Sequence, residues 1–246
     1  MTSDTVALNG IELYYQRRGA GEPLLLLHGF SGCAADWNPF LARFGEGRDV
    51  IVPELRGHGR STGEAMPFTF RQAALDVCAL LDHLKVSRCD AIGVSGGAKT
   101  LLHVATLQPS RIRRMVLVSA APYFPPQARA LMTQYSEGKH SEEEWQLMRS
   151  RHPRGDAQIR ALWAQPKNFA NDTDDMNFTA QRLATITAET LIVHGDRDPF
   201  YPVELALEMY RAIPHSALWV VPNGGHGPIS GDMAKPFTAA VKAFMA

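Results

Sequence analysis

A single serine flanked by glycine-rich sequence constrains this chain more than any other feature. Gly93–Gly97 reads G-x-S-x-G, with Ser95 at its centre. The preceding residues 88–94 end in small and β-branched side chains, as short buried strands do, and residues 98–107 have the apolar spacing of a helix. A serine between a strand and a helix lies on a tight, strained turn that exposes its hydroxyl at the carboxyl edge of a sheet. We therefore interpret Ser95 as a nucleophile.

Length, charge and cysteine content narrow the class of protein. The 246 residues, 45% of them hydrophobic, suffice for one large α/β domain with a substantial core. Lysine plus arginine equals aspartate plus glutamate at 25 each, so we expect neither nucleic acid nor a membrane surface as a partner. Three cysteines without metal-ligand spacing, and an N-terminus without a signal-peptide pattern, indicate a cytoplasmic protein without disulfides.

Strand and helix patterns alternate along most of the chain. Asn9-Gly10 supplies the positive φ angles of a two-residue turn, so residues 6–15 are predicted to form a β-hairpin. The apolar run Pro23–Leu27 is typical of a parallel strand covered on both faces. Further strands are predicted at 49–53, 88–94, 112–119, 190–195 and 217–221, and helices at 36–44, 69–84, 98–107, 202–213 and 232–246. This alternation predicts an α/β fold with a doubly wound, mostly parallel sheet.

The alternation is interrupted after residue 121. Three prolines within residues 122–126 break the pattern, and the sequence from there to about residue 183 is helical in spacing, polar, and rich in methionine and tryptophan. We therefore predict that residues 122–186 form a helical cap. It is inserted into a core made of residues 1–121 and 187–246.

Two later loops contain groups able to activate the serine. A serine hydroxyl is a weak nucleophile unless a general base takes its proton, and a third group must orient that base. Gly195–Asp198 follows one predicted strand and carries two carboxylates, Asp196 and Asp198. Gly224–Gly227 follows the next strand and carries His226. The chain order Ser, Asp, His is the order found in α/β-hydrolases.

The motifs together resemble those of the α/β-hydrolase superfamily, in its small capped type. That type includes carboxylesterases, lactonases and carbon–carbon bond hydrolases. The resemblance covers essentially the whole chain, and its five motifs occur in family order: His28-Gly29-Phe30, residues 56–61, Gly93–Gly97, Gly195–Asp198 and Gly224–His226.

The resemblance implies a role for each motif. Ser95 would attack the substrate, His226 would act as general base and then general acid, and Asp198 would orient His226, with Asp196 as the rival acid. The backbone N–H groups of Phe30 and Gly96 would form the oxyanion hole. No cofactor is implied, and no metal ion is expected, because the histidines lack the close helical spacing of zinc hydrolases.

The expected substrate is a small ester or lactone bound in an apolar pocket. Candidate pocket residues are Trp37, Val94, Tyr123, Phe124, Trp145 and Trp163. The leading hypothesis is a serine hydrolase that cleaves small carboxylic esters through an acyl-enzyme. Alternatives on the same three residues are a lactonase, a carbon–carbon bond hydrolase, which a buried arginine near Ser95 would favour, and a slow-turnover ligand sensor.

Some polar residues have a structural and a functional interpretation. His28 and His58 are expected to bond nearby backbone and hold their loops in place. Arg149, Arg151, His152 and Arg154 form a cationic stretch that either faces solvent at a helix end or binds a substrate carboxylate. Asp172, Asp174 and Asp175 could bind a substrate amine, as the cap acids of proline iminopeptidases do, but their Asn/Asp/Thr-rich stretch is interpreted as a loop.

Overall fold

An eight-stranded sheet forms the centre of the computed structural model, which describes residues 2–137 and 139–246. Its order is β1-β2-β4-β3-β5-β6-β7-β8. β1, β2 and β4 pair antiparallel, and all other neighbours pair parallel. The strands are β1 (Thr2–Leu8), β2 (Ile11–Gly19), β3 (Glu22–Leu27), β4 (Arg48–Pro53), β5 (Cys89–Val94), β6 (Ile112–Val118), β7 (Glu189–Gly195) and β8 (Ser216–Val221). The predicted mostly parallel sheet is confirmed.

Helices cover both faces of this sheet. They are α1 (Asn38–Phe44), α2 (Phe70–His83), α3 (Gly96–Leu107), α4 (Pro126–Glu137), α5 (Glu142–Arg151), α6 (Asp156–Asn171), α7 (Ala180–Leu183), α8 (Val203–Ala212) and α9 (Ala234–Phe244). One buried apolar cluster joins the sheet to α2, α3 and α8, and a second joins its other face to α1 and α9. No helix in the described part of the chain has the length and apolar character needed to cross a bilayer.

The apolar strand β3 shows why the sheet needs two covered faces. Leu24, Leu25, Leu26 and Leu27 are all almost completely buried. Because side chains alternate along a strand, Leu25 and Leu27 belong to the first cluster, whereas Leu24 and Leu26 belong to the second. The hairpin is also confirmed: Asn9 and Gly10 have φ angles of 46° and 78°, as a two-residue turn requires.

Four helices, α4 to α7, lie between β6 and β7. They interrupt the alternation of strand and helix where the sequence predicts an insertion. Helices α4 and α6 contribute buried residues to the same apolar cluster as α2 and α3. The inserted helices are therefore packed onto the core. The cap boundaries at 122 and 186 remain predictions.

The start of α2 is held by a residue that is distant in sequence. Thr69 is the N-cap of α2, and its side chain accepts a hydrogen bond from the Gln72 N–H (3.0 Å). The carboxylate of Asp175 accepts two further bonds, from the N–H of Phe70 (2.6 Å) and of Arg71 (2.9 Å). Asp175 is buried, so it is a structural anchor between the inserted segment and the core.

Replacement of Asp175 by alanine should destabilise the fold, because it leaves buried helix N–H groups without an acceptor. We expect Asp175→Ala to lower the free energy of unfolding by about 1–3 kcal/mol, measured by urea denaturation at pH 7.5. Asp174→Ala is the matched control because Asp174 is exposed. Equal stability losses in the two variants would contradict the anchoring role.

Candidate active site

Ser95 occupies a strained turn between β5 and α3. Its φ and ψ angles are 49° and −106°, a region that non-glycine residues rarely adopt. Close backbone contacts hold this conformation. A Cβ atom at Gly93 would lie 2.6 Å from the Ala98 nitrogen, and one at Gly97 would overlap the Leu27 carbonyl. The predicted tight turn is therefore present, and the glycines on either side of Ser95 are needed for its packing.

Ser95, His226 and Asp198 form one continuous hydrogen-bonded chain. His226 Nε2 lies 2.8 Å from Ser95 Oγ, and His226 Nδ1 lies 2.7 Å from Asp198 Oδ2. The other carboxylate oxygen of Asp198 accepts bonds from the N–H groups of Phe200 (2.9 Å) and Tyr201 (3.2 Å). Such a chain can move a proton from a serine hydroxyl onto an imidazole that a carboxylate orients.

The two candidate acids have different surroundings. Burial raises the pKa of Asp198, but the hydrogen bond and charge of His226 and the two backbone N–H groups outweigh it, so the net pKa lies below its usual value. The carboxylate therefore stays ionised beside the imidazole. Asp196 is exposed, and its closest cationic partner is the neighbouring Arg197 at 3.9 Å.

The predicted oxyanion donors lie side by side. Gly96 is the first residue of α3, so its N–H has no acceptor within the helix. A Cβ atom on Gly96 would lie only 2.8 Å from the Phe30 nitrogen. Neither N–H donates to another group within residues 2–137 and 139–246. Two free donors thus lie next to the Ser95 turn, at the positive end of a helix.

Two neutral histidines hold the backbone of Ser31 in the loop after β3. Its N–H donates to His58 Nε2 (3.1 Å), and its carbonyl accepts from His152 Nε2 (3.1 Å). The Gly59 N–H donates to the other ring nitrogen of His152 (2.9 Å). A ring nitrogen that accepts from a backbone N–H carries no proton, so each ring is in a single neutral tautomer.

His28 completes this network at the end of β3. Its Nε2 accepts from the Leu55 N–H (3.0 Å), and its Nδ1 donates to the Gly29 carbonyl (2.7 Å). The predicted loop-holding roles of His28 and His58 are confirmed. Burial lowers the pKa of both rings and lowers the pKa of His152 to about 4. All three are uncharged at neutral pH.

A cavity of about 410 Å³ opens beside Ser95 and His226. The predicted residues Trp37, Val94 and Phe124 line it. Tyr123 does not, because its hydroxyl bonds Glu208 (3.2 Å) on α8. Trp145 and Trp163 also lie elsewhere: their rings pack edge to face, 4.4 Å apart, in a separate small cluster within the inserted helices. The prediction of pocket contacts for these three residues is wrong.

Phe70, Lys99 and Tyr201 are among the lining residues that are absent from the predicted pocket contacts. Lys99 lies one helical turn after Ser95, a spacing that places it on the same side of α3.

The arginines of the cationic stretch are paired with carboxylates at 2.8–2.9 Å: Arg149 with Asp156, Arg151 with Asp36, and Arg154 with Glu64.

Comparison with known proteins identifies the family. The model of the alpha/beta hydrolase family matches residues 24–240. The chain belongs to the alpha/beta hydrolase family. It is 30% identical to the mouse serine hydrolase BPHL, over 92% of this chain and 80% of that protein. It is 28% identical to 2-hydroxy-6-oxononadienedioate/2-hydroxy-6-oxononatrienedioate hydrolase 2 of Pseudomonas putida, over 96% of this chain and 92% of that protein.

The fold of this alpha/beta hydrolase agrees with a solved structure. MGS-M2, an alpha/beta hydrolase enzyme from a Medee basin deep-sea metagenome library, superposes with a TM-score of 0.84. The match covers 98% of this chain and 97% of that one, at 18% identity. Within the described residues, no group of three or more His, Cys, Asp or Glu side chains is arranged to hold a metal ion.

The neutral histidines of this alpha/beta hydrolase predict acid sensitivity. Below pH 6.5 the unfolded chain takes up protons that the buried rings accept only at lower pH. The free energy of unfolding therefore falls as the pH falls from about 6.5 toward 4. For His152→Gln, we expect the loss of stability between pH 7.5 and 5.0 to shrink by about 2 kcal/mol, measured by urea denaturation. His83→Gln, at an exposed position, should keep the wild-type loss. An unchanged pH dependence in His152→Gln would show that this ring is not the source of the acid sensitivity.

Proposed function

We propose that the protein is a serine hydrolase that cleaves small carboxylic esters through an acyl-enzyme. The observation that carries this proposal is the hydrogen-bonded chain from Ser95 through His226 to Asp198, which ends at a largely apolar cavity. The relatives support hydrolysis as the reaction class, since both are named as hydrolases. The proposed ester substrate rests on the cavity and on the chemistry of the serine.

The first half-reaction forms the acyl-enzyme. Ser95 Oγ attacks the ester carbonyl carbon while His226 Nε2 takes its proton, and Asp198 stabilises the resulting imidazolium through Nδ1–H. The carbonyl oxygen becomes an oxyanion and accepts hydrogen bonds from the N–H groups of Phe30 and Gly96. The tetrahedral intermediate then collapses, the alcohol leaves with the proton from His226, and the acyl group stays on Ser95.

The second half-reaction regenerates the enzyme. His226 takes a proton from a water molecule, whose oxygen attacks the acyl carbonyl, and the same two N–H groups hold the second oxyanion. Collapse returns the proton to Ser95 Oγ and releases the carboxylic acid. Each half-reaction uses His226 once as base and once as acid, so no further titratable group is needed.

The arginine at the cavity wall helps to distinguish an ester hydrolase from a carbon–carbon bond hydrolase. A buried arginine near Ser95 is the feature expected to favour the latter. Arg151, the one arginine that lines the cavity within the described residues, is about one-third exposed and bonds Asp36 at 2.8 Å. Its charge is thus already paired. We therefore retain the ester as the proposed substrate class.

Pre-steady-state kinetics with 4-nitrophenyl acetate tests the nucleophile. The wild type should release a burst of about one equivalent of 4-nitrophenolate and then turn over steadily. Ser95→Ala should lose both phases, with a fall in kcat on the order of 10⁶-fold if Ser95 acts as serine nucleophiles of this kind do.

Ser150→Ala serves as the control, because that hydroxyl bonds the Leu147 carbonyl on α5 and Ser150 does not line the cavity. It should keep the burst and the turnover. A burst without turnover in the wild type would instead support a ligand sensor. Full activity in Ser95→Ala would refute the proposal.

Paired variants of the two aspartates test the orienting acid. Asp198→Asn removes the anion that holds His226, so we expect kcat to fall about 10⁴-fold, as in a comparable triad. Asp196→Asn should stay within a few-fold of wild type because its carboxylate is exposed and His226 Nδ1 bonds Asp198 instead. The reverse pattern would assign the orienting role to Asp196.

A further inference from the structure

A buried lysine faces the cavity without a partner. Lys99 is only 2% exposed and lines the cavity together with Ser95. Across the described residues it makes no hydrogen bond and no ion pair through its ammonium group. Its contacts are aromatic: Nζ lies 4.6 Å from the ring centre of Tyr201 and 5.7 Å from those of Phe70 and Phe124. A cation is thus held against ring faces with its donors free.

The surrounding acids do not neutralise this cation. Asp198 is the carboxylate that acts on it electrostatically, but its two oxygens are occupied by His226 and by backbone N–H groups. Asp36, which also lines the cavity, bonds Arg151. Burial lowers the pKa of Lys99 to about 7, and Asp198 limits that fall. The ammonium form is therefore present near neutral pH without a counter-ion from the protein.

An unpaired buried ammonium is costly for folding, and a methionine would fill the same space without that cost. Retention of a lysine with free donors at a cavity wall is explained if the cavity's ligand supplies the anion. The anion must also fit a largely apolar, aromatic site and pair with a single ammonium group. A carboxylate meets this description.

We propose that Lys99 determines substrate specificity by binding a carboxylate on the acyl chain of the ester. This inference rests on the proposed acyl transfer to Ser95. Because Lys99 follows Ser95 by about one turn at the start of α3 and lines the same cavity, we expect its ammonium to reach a group a few carbons from the acyl carbonyl. The substrate class is therefore half-esters of short dicarboxylic acids, such as glutarate.

Two matched esters isolate the contribution of the carboxylate. Mono(4-nitrophenyl) glutarate carries the terminal carboxylate, and methyl 4-nitrophenyl glutarate has the same acyl chain with that charge masked. We would measure kcat/KM for both at pH 7 in the wild type and in Lys99→Met. The kcat/KM for the anionic ester divided by the kcat/KM for the neutral ester should fall on the order of 10- to 100-fold in the variant. This fall corresponds to the loss of one hydrogen bond between charged groups.

Arg182→Met is the matched control variant. Arg182 also lies over an aromatic ring, 4.2 Å from the centre of Phe178, but it does not line the cavity. Its ratio should equal that of the wild type. An unchanged ratio in Lys99→Met, or an equal fall in both variants, would overturn the proposal. Should Lys99→Met not fold, as judged by circular dichroism, Lys99→Gln replaces it with the same expected ratio.

Equilibrium binding separates this inference from the proposed function. Titration calorimetry of glutarate into Ser95→Ala should show binding that is lost in Ser95→Ala/Lys99→Met, whereas dimethyl glutarate should not distinguish the two proteins. If the wild type hydrolyses neither ester but glutarate binding depends on Lys99, the ester hydrolase proposal fails and the carboxylate site stands. If both esters turn over and glutarate binds equally well with and without Lys99, only the proposal of a carboxylate site is refuted.

Discussion

The close approach of backbone segments behind Ser95 is the constraint on which the site depends. Gly97 packs against the Leu27 carbonyl at the end of β3, and Gly93 packs against the start of α3. Because β3 and β5 are neighbours in the sheet, this contact brings the loop after β3 beside the turn after β5. The strained serine and the free N–H groups of Phe30 and Gly96 therefore result from one packing arrangement. A side chain at position 97 would push the loop after β3 away from the Ser95 turn, and so would disturb the strained serine and the two N–H groups at the same time.

Charge around the serine is confined to a few positions. The three histidines of the loop network stay neutral, so their rings act as fixed donors and acceptors for backbone groups. Ionised groups occur at Asp198 beside His226, at the Arg151–Asp36 pair and at the wall that carries Lys99. In a largely apolar cavity, each such charge acts over a short distance with little screening by water. This arrangement separates the groups that hold the loops from the groups proposed to act on substrate.

The features predictable from the sequence are those governed by short-range rules. A continuous apolar run identifies β3, and glycine-containing turns identify the hairpin and the Ser95 turn. The convergence of parallel strands at one edge then predicts that the loops carrying Ser95, Asp198 and His226 meet. Contacts between distant segments could not be predicted this way. Asp175 caps a helix about a hundred residues earlier in the chain, which no local pattern indicates. Trp145 and Trp163 pack against each other because the helix faces that carry them point toward one another. Residue type alone does not specify which face of a helix points inward.

The bond between His152 and Ser31 ties the inserted helices to the loop that carries Phe30, one of the two proposed oxyanion donors. His152 directly follows α5, so the insertion is part of the mechanical support of the core rather than an independent module. Chimeras that exchange these helices between related hydrolases would therefore exchange part of that support as well. Such grafts need a histidine, or another side chain with one donor and one acceptor, at the same junction. In this protein, an exchange of the inserted helices would change the cavity wall and the loop geometry together.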